Sequence, residues 1–171
     1  SQYPARLAAL MPSAAATAAL THYPLANYSV PGAALADAFG AGLLACPTIK
    51  TAHALAPHTP TYLYQFEYPD ADFPLPLMHT FPLGAFHSAE IQFVFGIPGG
   101  AVPFTAEQAT LSAAMMRYWT RFARSGDPNG GNDPAWPVLQ GTNQHLIFDR
   151  TIAVASGAKQ ADCDFFDSID Y

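Results

Sequence analysis

Strand-forming segments are scarce in this chain of 171 residues, and that shortage limits what the chain can fold into. Thr61–Tyr68 (TYLYQFEY) alternates and is rich in aromatic residues, a pattern typical of a strand. His145–Phe148 predicts a second strand, and the helical segments around the two indicate an α/β protein. So few strands cannot build a sheet that is covered on both faces. The chain is therefore predicted to supply part of a sheet, with a neighbour of Thr61–Tyr68 lying outside the 171 residues.

The clearest helix is predicted over Thr105–Ser125. Thr105 and Gln108 fit a capping box, and Gly126 provides a stop signal at the other end. Apolar residues at helical spacing predict one buried stripe, made of Leu111, Met115, Met116, Trp119, Phe122 and Ala123.

Other helices are predicted near the start of the chain. Residues 5–20 predict two short alanine-rich helical turns. Ser29 as cap, with Pro31 in the first turn, predicts a helix over Gly32–Ala45, and a second helix is predicted over Pro47–Ala56. Residues 84–96 (GAFHSAEIQFVFG) read as a loop entering a short buried helix.

Composition excludes several classes of protein. Only 12% of the residues are charged, against roughly 25% in a typical soluble chain. The many aromatic residues argue against disorder, and the net charge of −6 argues against nucleic-acid binding. No run of about 18 apolar residues is free of Pro, Gly or polar breaks, so no membrane span is predicted. The low charge indicates that part of the surface is covered by something else.

Two cysteines, Cys46 and Cys163, lie far apart in the sequence. Spacing alone leaves two alternatives open, buried free thiols or a disulfide that ties the C-terminal tail to the body. A disulfide would indicate an oxidising compartment. Asn27-Tyr28-Ser29 has the form of an N-glycosylation sequon, a triplet that also occurs often by chance.

His87 is the strongest candidate for chemistry. It follows a Pro/Gly loop and precedes an almost wholly apolar helix, and catalytic residues are often found on loops held by rigid elements. The alternative is a histidine that caps a helix or is hydrogen-bonded in a core. Glu90, one helical turn later, would either complement the positive end of the helix or support the histidine. His79 and His87 match no metal-binding template, so neither a metal nor another cofactor is expected.

A nucleophile to accompany the histidine is absent from the sequence. The G-x-S-x-G elbow, an HGGG-type oxyanion segment, a P-loop, G-x-G-x-x-G and H-E-x-x-H do not occur. Neither cysteine has a neighbouring cation that would activate it. If the chain takes part in catalysis, most of the apparatus lies elsewhere.

Several segments, taken in order, resemble the type B carboxylesterase and cholinesterase family of α/β-hydrolases. They are Ala45-Cys46-Pro47, TYLYQFEY, GAFHSAEIQFVFG, residues 105–130 (TAEQATLSAAMMRYWTRFARSGDPNG) and the ending over residues 161–166. The resemblance is to the C-terminal third of the family alone. It implies that residues 1–171 are the C-terminal portion of a single α/β-hydrolase domain, with the last strands of a mostly parallel sheet and its packing helices.

The resemblance also implies roles for individual residues. His87 matches the triad histidine, the general base that takes the proton of a nucleophilic serine. Glu90 matches a buried glutamate that supports the region around that serine. Cys46 and Cys163 match a disulfide pair of cholinesterase-like members. Leu83 and Phe86 correspond to residues near the wall of the substrate gorge.

The function implied is that of the histidine-bearing part of a serine carboxylic ester hydrolase. Its substrate would be a small-molecule ester, and its partner the N-terminal segment or chain of the same enzyme, which would carry the serine, the acid and the oxyanion glycines. This chain alone is then expected to be inactive. The implied disulfide predicts a protein that is secreted or otherwise extracytoplasmic. The alternative is a catalytically silent, cholinesterase-like adhesion or binding protein. A free-standing module is disfavoured, because it would expose an unpaired sheet edge.

Overall fold

Helices and three short strands make up the computed structural model, which describes residues 2–72, 82–140 and 143–169. The chain divides into a first unit, residues 1–51 with 159–171, and a second unit, residues 52–158. The prediction that the chain is one portion of a single domain stays a prediction. The described elements are α1 (Tyr3–Leu10), α2 (Ser13–His22), α3 (Pro31–Phe39), α4 (Cys46–Leu55), β1 (Tyr64–Phe66), α5 (Ile91–Phe95), α6 (Ala106–Ser125), β2 (His145–Phe148), β3 (Ala153–Ala155) and α7 (Gln160–Ser168).

The first unit begins with the two alanine-rich helices that the sequence predicts, α1 and α2. They are separated at Met11 and Pro12, because proline has no N–H with which to continue a helix. The buried Tyr3 hydroxyl donates to the carbonyl of Tyr23 at 2.9 Å. This hydrogen bond joins the start of α1 to the residue that follows α2.

The next helix differs from the prediction at both its start and its middle. Val30, not Ser29, precedes α3, and no side chain caps it, although Pro31 stands in the first turn as predicted. The predicted break near Pro47 is also wrong, because α3 continues through a π-helix over Gly40–Ala45 directly into α4. The π-helix already replaces the regular hydrogen-bond ladder at that point, which accommodates a proline without ending the helix.

The continuous helical segment Pro31–Leu55 bears on the expectation that the chain does not span a membrane. Its length and composition alone would allow it to cross a membrane, and core helices of soluble proteins meet the same criterion. Proline and glycine inside the segment do not interrupt the helix. Their presence therefore does not exclude a membrane span here. The absence of a membrane span stays a prediction.

A disulfide joins the long helical segment to α7. The sulfur atoms of Cys46 and Cys163 are 2.05 Å apart, and both cysteines are buried. Of the two alternatives left open by the spacing, the structure therefore has the disulfide that the family resemblance implies. Close packing accompanies it, since a Cβ atom on Gly42 would lie 2.8 Å from the Phe166 ring.

The second unit contains a mixed sheet with strand order β1-β2-β3. β1 and β2 are parallel, with Tyr64 opposite Leu146, and β2 and β3 are antiparallel. β2 has the predicted bounds, whereas β1 covers only three of the eight residues predicted. β3 was not predicted, because its sequence Ala-Val-Ala carries a weak strand signal. No strand in the described parts of the chain pairs with the other edge of β1.

α6 begins and ends as predicted. The Thr105 hydroxyl accepts from the backbone of Gln108, the Gln108 side chain accepts from the backbone of Thr105, and Gly126 ends the helix in the left-handed conformation. The predicted stripe is partly wrong, because Met116 and Phe122 are 37% and 48% exposed. The buried face passes instead through Tyr118, whose hydroxyl donates to a backbone carbonyl at 2.6 Å.

The buried face of α6 completes the core of the second unit. Aromatic and aliphatic side chains from β2, the segment after β1, α5, α6 and the loop after α6 form it: Tyr68, Phe93, Leu111, Met115, Tyr118, Trp136, Leu146 and Phe148. The Trp136 indole N–H donates to the carbonyl of Leu63 at 2.8 Å, which satisfies its polar atom inside the core.

Two arginines of α6 hold the loop that follows it. Arg117 contacts the Asp133 carboxylate at 2.5 Å and 2.9 Å, and Arg121 also binds it. The hydrogen bond from Arg117, with that from Arg121, lowers the pKa of Asp133 to about 2. Because this pKa lies below the ordinary value of 3.8, ionised Asp133 stabilises the folded chain above pH 3.8, and that contribution disappears as the pH falls through about 2.

Replacing Asp133 by asparagine tests this ion pair. Asp133→Asn should lower the free energy of unfolding near neutral pH by on the order of 1–2 kcal/mol. The difference from the wild type should shrink as the pH falls from 3.8 to about 2. Urea unfolding at a series of pH values measures it, and Asp164→Asn, at an exposed carboxylate of α7, is the control. An equal loss at all pH values would contradict the ionic role.

Candidate functional site

The His87 side chain projects from a tight turn that leads into α5. The backbone N–H of Ala89 donates to the carbonyl of Phe86 at 3.0 Å, and that of Ile91 donates to the carbonyl of Ser88 at 3.3 Å. His87 is exposed, and its imidazole has no hydrogen-bond partner among the residues that the structure describes. The ring nitrogens are therefore open to a group that approaches from outside the described chain.

Ser88, directly after the histidine, has a left-handed backbone with φ of 72°. Residues with a Cβ adopt this conformation at a cost of about 1–3 kcal/mol and keep it only where the surrounding structure imposes it. The conformation reverses the chain between the exposed His87 and the buried Ala89. Backbone strain is thus localised next to the candidate catalytic residue.

Gln92 fixes α5 to the segments on either side. Its Nε2 donates to the carbonyls of Asp72 at 3.0 Å and Ala89 at 3.2 Å, and its Oε1 accepts from the backbone of Gly99 at 2.9 Å. The residue is buried, so these bonds satisfy its polar atoms without water. This role was not predicted from the sequence, although a lone glutamine in an apolar helix was a signal for it.

α6 provides a second polar contact to α5. The buried Ser112 hydroxyl donates to the carbonyl of Phe93 at 2.8 Å. Phe93 itself is fully buried, whereas Ile91 and Phe95 on the same helix are 50% and 68% exposed. The prediction of a buried helix therefore holds for one face of α5 only.

Glu90 lies beside the hydroxyl of Tyr64 on β1. Burial, and then the charge and hydrogen bonding of the Glu90 carboxylate, raise the pKa of Tyr64 to about 12. The phenol therefore stays protonated and can donate a hydrogen bond toward the carboxylate. This pairing connects the turn after His87 to the sheet, and Tyr64 is a site residue that the sequence analysis placed only in a strand.

The remaining predicted site residues lie near the turn. Leu83 and Phe86 are half-buried on the segment before His87, and their part in a substrate wall stays a prediction. His79 lies outside the described residues. No group of three or more His, Cys, Asp or Glu side chains in the described ranges could hold a metal ion, and the absence of a metal or cofactor stays an expectation.

A family model decides which proteins this chain is related to. The model of the carboxylesterase family matches residues 7–166, which include the second unit, most of the first unit and the whole candidate site. The chain belongs to the carboxylesterase family. Membership implies an α/β-hydrolase fold, and the small mixed sheet with its helices is consistent with part of one.

Individual carboxylesterases show the same relationship. Carboxylesterase 5A of Felis catus is 39% identical over 140 residues, 76% of this chain and 25% of that protein. Acylcarnitine hydrolase of Rattus norvegicus is 38% identical over 128 residues, 72% of this chain and 22% of that protein. Cocaine esterase of Homo sapiens is 35% identical over 117 residues, 66% of this chain and 20% of that protein. The chain thus spans about a quarter of the length of such relatives.

Glycine in place of Ser88 tests the strain at the turn. Ser88→Gly should raise the free energy of unfolding by about 1 kcal/mol, because glycine adopts a positive φ without a Cβ penalty. Ser88→Ala keeps the Cβ and removes only the hydroxyl, so it should bring no such gain. Urea unfolding of both variants measures the effect. Equal stabilisation by alanine and glycine would show that the hydroxyl, not the backbone, is the source of strain.

Proposed function

We propose that this chain is the histidine-bearing part of a serine carboxylic ester hydrolase, with His87 as general base. The observation that carries the proposal is an exposed imidazole on a turn held by buried contacts, with no hydrogen-bond partner within the described ranges, in a chain of the carboxylesterase family. The serine nucleophile, the acid and the oxyanion hole belong to an N-terminal segment or chain of the same enzyme. This division agrees with the absence of a G-x-S-x-G elbow from the 171 residues.

His87 moves protons in the proposed reaction. One ring nitrogen takes the proton from the serine hydroxyl as the oxygen attacks the ester carbonyl, and the imidazolium then gives it to the leaving alcohol. The acyl-enzyme is hydrolysed by the same sequence, with water in place of serine. A carboxylate of the partner segment holds the other ring nitrogen, and no described residue competes for either nitrogen.

Glu90 acts through the position of the turn. It lies one helical turn after His87 and beside the protonated Tyr64 hydroxyl, which links it to the sheet. In the proposal, Glu90 also supports the region around the incoming serine. Leu83 and Phe86 lie on the approach to His87 and contribute to the wall against which the ester binds.

The free edge of β1 is the proposed attachment point for the missing part of the sheet. β2 pairs with one edge of β1, and no described strand pairs with the other. The exposed side chains of Ile91 and Phe95 leave apolar surface on α5 in the same unit, as expected of a surface that another segment covers.

The substrate class and location follow from the same argument. A small-molecule ester is proposed as substrate, since relatives carry the names carboxylesterase and cocaine esterase. The Cys46–Cys163 disulfide supports an oxidising, extracytoplasmic compartment. A catalytically silent binding protein is the alternative, and the retained histidine favours the enzyme.

An ester-hydrolysis assay tests the catalytic role. The chain alone should show only background hydrolysis of an aryl or short-chain acyl ester, and addition of a segment that carries the serine and acid should bring activity. His87→Ala should reduce the kcat of the combined enzyme by on the order of 10³-fold or more, because loss of a triad member leaves only binding and the oxyanion hole. Glu90→Gln should cost much less, since the base and nucleophile remain.

His58→Ala is the matched control for this assay. His58 is an exposed histidine of the same unit, and its side chain makes no hydrogen bond to the parts of the chain that the structure describes. Its replacement should leave the kcat of the combined enzyme unchanged. If His87→Ala hydrolyses the ester as fast as the His58→Ala control, the catalytic assignment is wrong and the silent alternative replaces it.

Hydrogen exchange tests the attachment of the missing sheet. In the free chain, amides of Tyr64–Phe66 that face the open edge should exchange quickly. In the combined enzyme they should be protected, because a new strand would take up their hydrogen bonds. Amides in the middle of α6 are the control and should be protected in both states. Unchanged exchange in an active combined enzyme would show that the strand neighbour is elsewhere.

A further inference from the structure

We propose that Asn27 is an acceptor site for an N-linked oligosaccharide. The triplet Asn27-Tyr28-Ser29 is the only Asn-X-Ser/Thr sequence in the 171 residues, and its middle residue is not proline. Sequence alone could not separate this triplet from a chance match. Three structural observations favour an acceptor site: the exposure of Asn27, the anchoring of Tyr28 and the disulfide in the same unit.

Asn27 and Ser29 are both exposed, in the connection between α2 and α3. The backbone N–H of Asn27 donates to the carbonyl of Pro24 at 3.0 Å, at the end of a single 3₁₀ turn, Leu25–Asn27. Its side-chain amide makes no hydrogen bond to any described residue. The folded chain can therefore carry a large polar group on Nδ2 without losing a contact.

Tyr28 has the opposite orientation and anchors the triplet. Its backbone is extended, with φ of −126° and ψ of 143°, and Tyr28 is half-buried between the exposed Asn27 and Ser29. The Tyr28 hydroxyl donates to the Asp37 carboxylate at 2.8 Å, and Asp37 in turn binds the Lys159 ammonium at 3.1 Å. The acceptor asparagine and the serine two residues later are thus exposed on either side of an anchored tyrosine.

The disulfide supports an oxidising compartment for this chain. Cys46–Cys163 lies in the same unit as Asn27, and disulfides persist in the oxidising lumen through which secreted chains pass. The proposal rests on the extracytoplasmic location proposed above. It does not depend on ester hydrolysis. An inactive combined enzyme would leave the glycosylation proposal intact, and an unmodified Asn27 would leave the hydrolysis proposal intact.

The chemistry is a glycosyl transfer from a polyprenyl-pyrophosphate-linked oligosaccharide. A bond forms between Nδ2 of Asn27 and the anomeric carbon of the first sugar, and the bond from that carbon to the pyrophosphate oxygen breaks. Nδ2 loses one proton, and the polyprenyl pyrophosphate leaves with the electron pair. No oxidant or reductant is needed.

Expression of the full chain behind a secretion leader in animal cells tests the proposal. Removal of the leader shows that the chain has entered the lumen, and peptide-N-glycosidase treatment in heavy-oxygen water marks a modified Asn27 as a labelled aspartate in the mass spectrum. We expect most of the lumenal chain to be labelled and its electrophoretic band to move to lower mass. A lumenal chain with unlabelled Asn27 would overturn the proposal.

Four variants define the site. Asn27→Gln and Ser29→Ala should each abolish the band shift, whereas Ser29→Thr keeps the hydroxyl and should retain it. Asn132→Gln, at an exposed asparagine outside any sequon, should also retain it. Because the transfer takes place as the chain enters the lumen, the total lumenal fraction is analysed, and the result does not depend on how well a variant folds. A shift that survives Ser29→Ala would also overturn the proposal.

Discussion

Burial of the Phe93 ring holds α5 in place, and the position of His87 depends on it. The ring packs on Phe66 of β1 and Tyr68 after it, and stacks with Phe104 before α6. A five-residue helix has too few internal hydrogen bonds to be stable alone, so these tertiary contacts maintain it. The exposed imidazole lies on a turn whose position is fixed by the contacts of α5 with the core. A rigid turn suits the proposed role of His87 as general base, because proton transfer depends on the position of the base.

Polar contacts around α5 select one orientation among those that burial of Phe93 alone would allow. Gln92 connects the helix to the loop after it and to Asp72, and Ser112 reaches its backbone from α6. These groups are buried or partly buried, and an unmade hydrogen bond there would cost about 1–3 kcal/mol. Glu90 adds a connection to Tyr64 on the sheet. Directional interactions with the loop after α5, with α6 and with the sheet therefore fix the orientation of the turn. Hydrophobic contacts alone would not fix it, because they are not directional.

Sequence patterns predicted the elements whose signals are local. The capping box and glycine stop gave the bounds of α6, and β2 has the bounds that the sequence predicted. Patterns failed where tertiary packing decides. Periodicity could not show that Phe122 would be exposed and Tyr118 buried, and the proline at position 47 did not end its helix. In the candidate site, the context of His87 predicted a catalytic role that stays a prediction. The contact of Tyr64 was not predicted, because it depends on Glu90, 26 residues later in the sequence.

The sheet bears on the proposal that His87 acts together with a segment outside this chain. Parallel strands are usually covered on both faces, and β1 and β2 are parallel while β1 remains an edge within the described residues. An edge strand flanked by large aromatic side chains invites pairing, and proteins ordinarily protect such edges with charge, proline or a covering segment. The sequence of β1, Tyr-Gln-Phe, contains neither a charged residue nor a proline. The same segment that would complete the sheet would bring its own loops close to the turn of His87, since Tyr64 of β1 already lies beside Glu90. Closure of the sheet and assembly of the catalytic groups are thus one structural event in the proposed enzyme.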